Sequence, residues 1–230
     1  MLLSALWVLC HLLVFYPVSG TSCGCSSLVI PVHVDVLVPK DPTDTFAGLK
    51  SNASSLRRIE DTYNIYGDFC TPNAGSQQGA SVIQLLVHGF SYTGQYWSPP
   101  VEEFGNYSYA AFSCARGLPS LAVDWPGVGL SSRPINASDV QYPTVAAAVS
   151  QVATYLKAAS ILPGVPPFKK VIGIGHSAGS GALTFNAIVD GARSPFDGLI
   201  LTGDISLSAD MLPPSSILAP ARDDTPLRWG

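Results

Sequence analysis

Residues 171–179 read Val-Ile-Gly-Ile-Gly-His-Ser-Ala-Gly, and their last five contain the pattern Gly-x-Ser-x-Gly. The apolar residues before Gly175 predict a buried strand, and the residues from Ala178 to Val189 have the periodicity of a helix. Because glycine permits a sharp turn between the two, Ser177 should stand on a strained elbow with the helix N-terminus behind it. The sequence therefore predicts that Ser177 is a nucleophile, or the relic of one.

A competing interpretation of this stretch is a dinucleotide-binding turn, because Gly173, Gly175 and Ala178 also match the pattern Gly-x-Gly-x-x-Ala. That site needs an acidic residue about 20 positions further on, at the end of the next strand. Here Asp204 ends the next strand but lies too far along the chain, and Asp190 precedes that strand. The dinucleotide interpretation is therefore disfavoured and no cofactor is expected. The sequence also lacks the spacing of a metal site or a phosphate loop.

A second motif, Leu-Leu-Val-His-Gly-Phe at residues 85–90, predicts a buried strand followed by a turn. Such a turn aims the Phe90 amide at the same point as the Ala178 amide. Two amide donors at that point would form an oxyanion hole and hold the negative charge of a tetrahedral intermediate. His88 is expected to shape this loop and not to act as a base. A plain strand end with a turn glycine is the alternative.

Three aromatic residues, Tyr92, Tyr96 and Trp97, follow this motif closely. Ordinary core packing is the expected role of such side chains. The alternative is that they line an acyl or aromatic pocket.

The order of the remaining elements indicates an α/β fold. Apolar and polar residues alternate over 29–38, which predicts a half-buried strand, and residues 40–62 are interpreted as a loop. Strands and helices then alternate, which implies a parallel sheet with helices on both faces. The predicted strands are Val29–Val38, Tyr63–Phe69, Ser81–Val87, Leu121–Trp125, Lys170–Ile174 and Gly198–Thr202, and the predicted helices are Thr144–Ala159 and Ala178–Val189.

Three motifs, which follow three successive predicted strands, resemble those of the α/β-hydrolase fold family. The resemblance is in particular to secreted esterase-like and lipase-like members of the AB hydrolase-1 type. The similarity covers about residues 29–204. It implies a mostly parallel sheet with helices on both faces, a serine nucleophile and a small-molecule ester or related acyl substrate. The motif at residues 124–131 is usually a structural loop in this family, so it is assigned no catalytic role. The motifs are His88-Gly89-Phe90, Asp124-Trp-Pro-Gly127-Val-Gly129-Leu-Ser131 and the elbow Gly175-His176-Ser177-Ala178-Gly179.

The family order of serine, acid and histidine is not completed in this sequence. Its four histidines, none of which follows Ser177, are His11, His33, His88 and His176. His176 neighbours the nucleophile on the elbow and should point elsewhere, and His33 lies on the first predicted strand. Asp204 stands where some members place the acid, although a helix or turn cap is the alternative.

The sheet of this family has eight strands and the chain reaches about the sixth. We therefore expect a C-terminal truncation that removes the last strands with the acid and the histidine. Such a truncation would arise from a splice form, a gene-model error or a fragment. A genuine pseudoenzyme is the alternative to truncation. The expected function is a serine hydrolase of carboxylic esters or related acyl compounds that is inactive or weak in this form. The competing hypothesis is a catalytically dead secreted module that keeps a ligand pocket.

The first 20 residues have the character of a secretory signal, because the apolar stretch from Leu2 to Val18 is followed by small residues. The absence of Lys and Arg before this stretch leaves an uncleaved signal anchor as the alternative. Residues 21–230 are expected to form a single, incomplete domain, with 205–230 as an irregular tail or the start of a cap. No later segment is long and apolar enough to predict a membrane span.

Four cysteines remain after removal of the signal, and an even number suits an oxidising compartment. A bridge between Cys23 and Cys25 would close a very tight ring. Each of these two is therefore expected to reach Cys70 or Cys114, with free buried thiols as the alternative.

Composition, charge and sequons bear on localisation and partners. Three sequons, at Asn52, Asn106 and Asn136, fit a secreted glycoprotein. With 47% hydrophobic and 12% charged residues, the chain should be compact and globular. Its net charge is −4 and no basic run exceeds two residues, so nucleic acid is not expected as a partner. The sequence does not indicate an oligomeric state.

Overall fold

The computed structural model describes residues 23–41, 53–72, 81–100, 106–158, 162 and 165–203. In these ranges six strands form one sheet in the order β1-β2-β4-β3-β5-β6. The strands are β1 Cys23–Pro39, β2 Leu56–Pro72, β3 Val82–Val87, β4 Ser120–Val123, β5 Lys170–His176 and β6 Gly198–Thr202. The α-helices are α1 Tyr109–Cys114, α2 Tyr142–Ala158 and α3 Ala178–Asp190.

Strands β4, β3, β5 and β6 run parallel to one another. This confirms the mostly parallel sheet, with one correction at its start. Strands β1 and β2 are antiparallel and pair along their full length, from Cys23 with Pro72 to Pro39 with Leu56. Only residues 67–70 of β2 continue the pairing, also antiparallel, onto β4. The first third of the chain is therefore a long hairpin attached to a parallel sheet.

The loop predicted for residues 40–62 is wrong from Leu56 onward, because β2 begins there. Several polar residues of this part of β2 are exposed, which is compatible with a strand at the edge of the hairpin. Arg58, for example, donates two hydrogen bonds of 2.7 Å to the Asp35 carboxylate on β1. Strand β1 also begins at Cys23, six residues earlier than predicted, since its first residues are small and polar and show no alternation. The predicted alternation itself is confirmed, with Val32, Val34 and Val38 buried.

Helices cover both faces of the sheet, as predicted. Ile83, Leu85 and Val87 of β3 belong to the larger buried cluster, which also contains residues of α2 and α3. Leu86, between them in sequence, points to the other face and packs with Trp97 and Tyr109. Alternate side chains of one central strand therefore enter two separate cores.

Helix α1 on the second face was not predicted, because six residues are too few for a helical period to be detected. It begins after Ser108, whose hydroxyl accepts a 3.1 Å hydrogen bond from Ala111 N, an N-terminal cap. Tyr109 donates a 2.6 Å hydrogen bond to Gln84 Oε1 of β3, and Gln84 Nε2 donates to Ser113. A polar cluster thus joins α1 to the centre of the sheet.

Two disulfide bonds are present, and they confirm that Cys23 and Cys25 each reach one of the two distant cysteines. Cys25 bonds to Cys70, its register partner in the hairpin. Cys23 bonds to Cys114, the last residue of α1. The first bond closes the hairpin, and the second ties it to the helix on the neighbouring face.

Several sequence predictions lie outside the described residues. They concern the signal at residues 1–20, the tail at 205–230, the sequon at Asn52 and the candidate acid Asp204. Within the described ranges, no helix has the length and apolar character needed to cross a bilayer.

Candidate functional site

The candidate nucleophile lies between a strand and a helix, as its sequence pattern predicts. Strand β5 ends at His176, α3 begins at Ala178, and Ser177 between them has φ 51° and ψ −118°. Such a backbone conformation costs a non-glycine residue about 1–3 kcal/mol, and strain of this kind is common at functional sites. The Ser177 side chain makes no capping hydrogen bond to the helix that follows it.

The two glycines of the elbow allow close backbone packing. A Cβ at Gly175 would lie 2.5 Å from Ser180 N, so a side chain there would collide with the first turn of α3. A Cβ at Gly179 would overlap the carbonyl oxygens of Val87 and His88 at the end of β3. The spacing Gly-x-Ser-x-Gly is therefore what lets β3, β5 and α3 meet at this point.

The loop after β3 lies directly against the elbow. A Cβ built on Gly89 would be 3.1 Å from Ser177 Cβ and 3.2 Å from His176 O. Phe90, the next residue, is exposed and places its ring against Trp125 at a centroid distance of 5.8 Å. The structure thus places Gly89 directly against Ser177 and His176 of the elbow.

His88 is buried beneath this loop, and both of its ring nitrogens are engaged. Nδ1 donates to Gly89 O at 2.8 Å, and Nε2 accepts a hydrogen bond from Trp125 N at 3.3 Å. The ring also stacks on Trp125 with centroids 4.7 Å apart. Burial lowers the pKa of His88, against the opposing effects of the Gly89 hydrogen bond and the Asp124 charge. A neutral, fully bonded imidazole can shape the loop but has no nitrogen free to take a proton from Ser177.

Asp124 holds the same loop from the other side. Its two carboxylate oxygens accept hydrogen bonds from Gly94 N at 2.7 Å and Leu130 N at 2.9 Å. Gly129, with φ 56°, lies so close that a Cβ there would overlap the Asp124 carboxylate. With both oxygens used inside the protein, this side chain has the structural role expected for the motif.

Thr202, the last residue of β6, was not predicted as part of the site, and it hydrogen-bonds to the elbow at several points. Its carbonyl oxygen accepts from Ser177 N at 2.8 Å, and its hydroxyl donates to Gly175 O at 2.8 Å. Ser180 Oγ bonds to both the carbonyl and the amide of Thr202, at 3.0 and 3.1 Å. A polar residue at the end of the apolar run 198–202 was the available signal, because the next parallel strand ends beside the nucleophile.

His176 makes its polar contact with Thr202 and not with Ser177. The Thr202 hydroxyl already donates its hydrogen to Gly175, so it accepts from His176 Nδ1 at 3.2 Å. The ring stacks on Tyr96 with centroids 4.6 Å apart. Core packing, predicted for three aromatic residues, is right for the buried Trp97 and wrong for Tyr92 and Tyr96. These two are 46% and 37% exposed because they pack beside the elbow and not beneath the sheet.

The structure does not bring His33 to the elbow. His33 lies on the edge strand β1, and three strands separate β1 from β5 in the sheet. It lines a groove of about 720 Å³ with residues such as Asp35, Phe185 and Asp190, and none of the elbow residues lines this groove. Among the histidines that the structure describes, none forms a hydrogen bond with the Ser177 side chain.

The described ranges contain no group of three or more His, Cys, Asp or Glu side chains that could hold a metal ion.

Comparisons with known proteins give one family and several solved structures. The sequence profile of the alpha/beta hydrolase family matches residues 84–230. No curated protein matches the chain. An esterase from Exiguobacterium antarcticum is 22% identical, with 63% of this chain and 42% of that one covered and a TM-score of 0.44.

Two further solved structures have similar scores. An esterase from Thermogutta terrifontis is 18% identical, with 67% of this chain and 44% of that one covered and a TM-score of 0.45. The epoxide hydrolase VrEH1 from Vigna radiata is 13% identical, with coverages of 72% and 41% and a TM-score of 0.44. The chain spans less than half the length of each of these three structures.

Proposed function

Because the chain belongs to the alpha/beta hydrolase family, we propose that it is a serine hydrolase of carboxylic esters or related small acyl compounds, with Ser177 as its nucleophile. The observation that carries the proposal is the strained elbow. Ser177 has a positive φ, its side chain does not cap α3, and the loop after β3 lies against it. A protein has little reason to keep this costly conformation for a serine with no chemical role.

The reaction follows from the groups around the elbow. Ser177 Oγ attacks the carbonyl carbon, and the charge that develops on the carbonyl oxygen is held by the amides of Phe90 and Ala178. Ala178 is the first residue of α3, so its N–H has no partner within the helix and the helix dipole favours the negative charge. The carbon–oxygen bond to the alcohol then breaks, and water hydrolyses the acyl-serine.

Proton transfer is the step that the described residues leave unassigned. His88 uses both ring nitrogens, and His176 directs Nδ1 to Thr202. Asp204 stays a candidate for the acid that would orient a base. An oxyanion hole and binding alone can leave about 10³ to 10⁴-fold acceleration over water, so we expect the 230-residue chain to turn over esters weakly.

Covalent labelling tests the proposal without requiring turnover. In the reaction with an alkyl fluorophosphonate, a bond forms between Ser177 Oγ and phosphorus, fluoride leaves and the hydroxyl proton passes to water. We expect slow labelling over hours, located at Ser177 by peptide mass spectrometry and abolished in Ser177→Ala. Ser150→Ala, on α2, is the matched control and should label like the wild type. Labelling that persists unchanged in Ser177→Ala would contradict the assignment.

The alternative is a secreted module that binds an acyl ligand without cleaving it. This alternative is favoured by the hydrogen bonds of His88 and His176, which go to Trp125 and Thr202 and not to Ser177. A module of this kind would bind a short ester, detected by calorimetry, while Ser177 stayed unlabelled.

We further propose that the protein is a secreted glycoprotein with residues 1–20 as its signal. The two disulfide bonds support an oxidising compartment, and the sequon residues Asn106 and Asn136 are both exposed. Expressed with its own leader in a eukaryotic cell, the chain should appear in the medium with its N-terminus near Thr21. Its mass should fall on enzymatic deglycosylation. Retention in the membrane with Met1 intact would identify an anchor instead.

A further inference from the structure

Three aromatic rings form a continuous surface beside the elbow, which we call the aromatic shelf: Tyr92, Tyr96 and His176. Tyr96 stacks on His176 with planes inclined by 17°, and the centroids of Tyr92 and Tyr96 are 5.2 Å apart. Tyr92 also lies 6.3 Å from His176, so each ring contacts the other two. Both tyrosines remain partly exposed, which leaves ring surface available to a ligand.

The shelf is within reach of a group attached to Ser177. A Cβ built on Gly89 would lie 3.3 Å from Tyr92 Cδ2 and 3.1 Å from Ser177 Cβ. These two atoms are therefore separated by no more than the sum of the two distances. His176 is the residue that precedes the nucleophile. A substituent one or two bonds from the reacting carbon can therefore touch the shelf.

The shelf is also held in place before any ligand arrives. Thr202 fixes His176 Nδ1, Tyr96 covers one face of the imidazole, and Gly203 packs closely against the ring. Gly203 has φ 55°, and a Cβ there would come within 2.7 Å of His176 Cε1. Rings ordered in this way lose little conformational entropy when they bind a ligand.

The aromatic character of the shelf favours an aromatic partner. Burial first, and then the neighbouring Tyr92 phenol, raises the pKa of Tyr96, so this hydroxyl stays neutral at physiological pH. Neutral aromatic rings prefer other rings at centroid distances of about 4.5–7 Å, stacked or edge to face. A planar ring suits these faces better than a saturated ring of similar size.

We propose that the aromatic shelf binds an uncharged aromatic ring of the substrate and makes the enzyme selective for aryl-bearing esters. This specificity rests on the proposed function of Ser177. Tyr96 is its main determinant, because it makes the closest ring contact of the three, a stack on His176 beside the nucleophile.

Three fluorophosphonates with the same leaving group test the proposal on the 230-residue chain. They carry an ethyl, a phenylethyl or a cyclohexylethyl group on phosphorus, in the place of the acyl part. We expect Ser177 to react about fivefold to tenfold faster with the phenylethyl than with the cyclohexylethyl compound, as one aromatic pair contributes. Protection of Ser177 by benzyl alcohol, compared with cyclohexylmethanol, reports separately on a ring in the alcohol part.

Variants separate recognition from folding. Tyr96→Leu should bring the phenylethyl-to-cyclohexylethyl ratio, measured within that variant, close to one, while Tyr96→Phe should keep the ratio. Phe112→Leu, which removes a ring that is 54% exposed on α1, is the control and should also keep it.

Two outcomes would overturn the proposal and can be told apart. In the first outcome, the ethyl compound labels Ser177 but neither the acyl comparison nor the alcohol comparison shows a preference for the aryl group. The shelf is then not a specificity determinant, while the proposed hydrolase function stands. No labelling of Ser177 by any of the three compounds overturns the proposed function, and the specificity with it.

Discussion

Replacing Gly179 by alanine should destabilise the protein by about 3 kcal/mol or more, or prevent it from folding, because the new methyl group has no space. It would overlap the carbonyl oxygens of Val87 and His88, which are backbone atoms at the end of the central strand β3. Relief requires either α3 or β3 to move, and both form the elbow. Urea unfolding followed by circular dichroism measures the loss, as a lower midpoint at an unchanged slope.

Gly198→Ala is the matched control for this measurement. A Cβ there meets only the end of the Ile172 side chain, at 3.3 Å, and such a contact can adjust. We expect its free energy of unfolding to stay within about 1 kcal/mol of the wild type. Equal stability of the two variants would show that the packing around Gly179 is looser than described.

Removing the bond between Cys23 and Cys114 by a double replacement with serine should have the second large effect. The bond joins residues separated by 91 positions, and the loop-closure entropy for this length is about 4–5 kcal/mol. A serine hydroxyl at the fully buried position 114 adds an unfavourable polar group. The melting temperature should fall by roughly 10 °C or more.

The double replacement of Cys25 and Cys70 is the comparison. These residues are separated by 45 positions and already face each other across the hairpin, so the smaller loop predicts a smaller loss. Scanning calorimetry of both variants without reductant gives the two values. A larger loss for the Cys25 and Cys70 variant would contradict this order.

The sequence predicted the parallel part of the fold well because each of its elements carries its own signal. The run 198–202 is apolar and ends at the predicted residue, and α3 begins at the predicted Ala178. The hairpin was predicted less well. Its register depends on pairing between β1 and β2. A charged residue such as Arg58 favours a loop until its ion-pair partner on the neighbouring strand, Asp35, is known.

In the candidate site as well, residues marked by local sequence patterns were predicted, and residues that depend on tertiary packing were not. Ser177 and the loop at Gly89 follow from local patterns, in which glycine marks a turn or a close approach. Thr202 was missed because its contacts depend on how β6 lies beside β5, where it pairs with His176. The exposure of Tyr96 likewise depends on tertiary packing, since a tyrosine after a turn is equally compatible with the core and with the surface.

The nesting of the two disulfide bonds affects how the chain is made. Synthesis proceeds from the N-terminus, so Cys25 and Cys70 are both available before Cys114 has left the ribosome. Early closure of the inner loop then leaves Cys23 and Cys114 as the remaining pair of these four, although four cysteines permit three connectivities. The hairpin that this bond closes must still wait for β4, its partner in the sheet. Translation order makes Cys70 available to both Cys23 and Cys25, and the hairpin register, which places Cys25 opposite Cys70 and Cys23 opposite Pro72, then favours the correct bond.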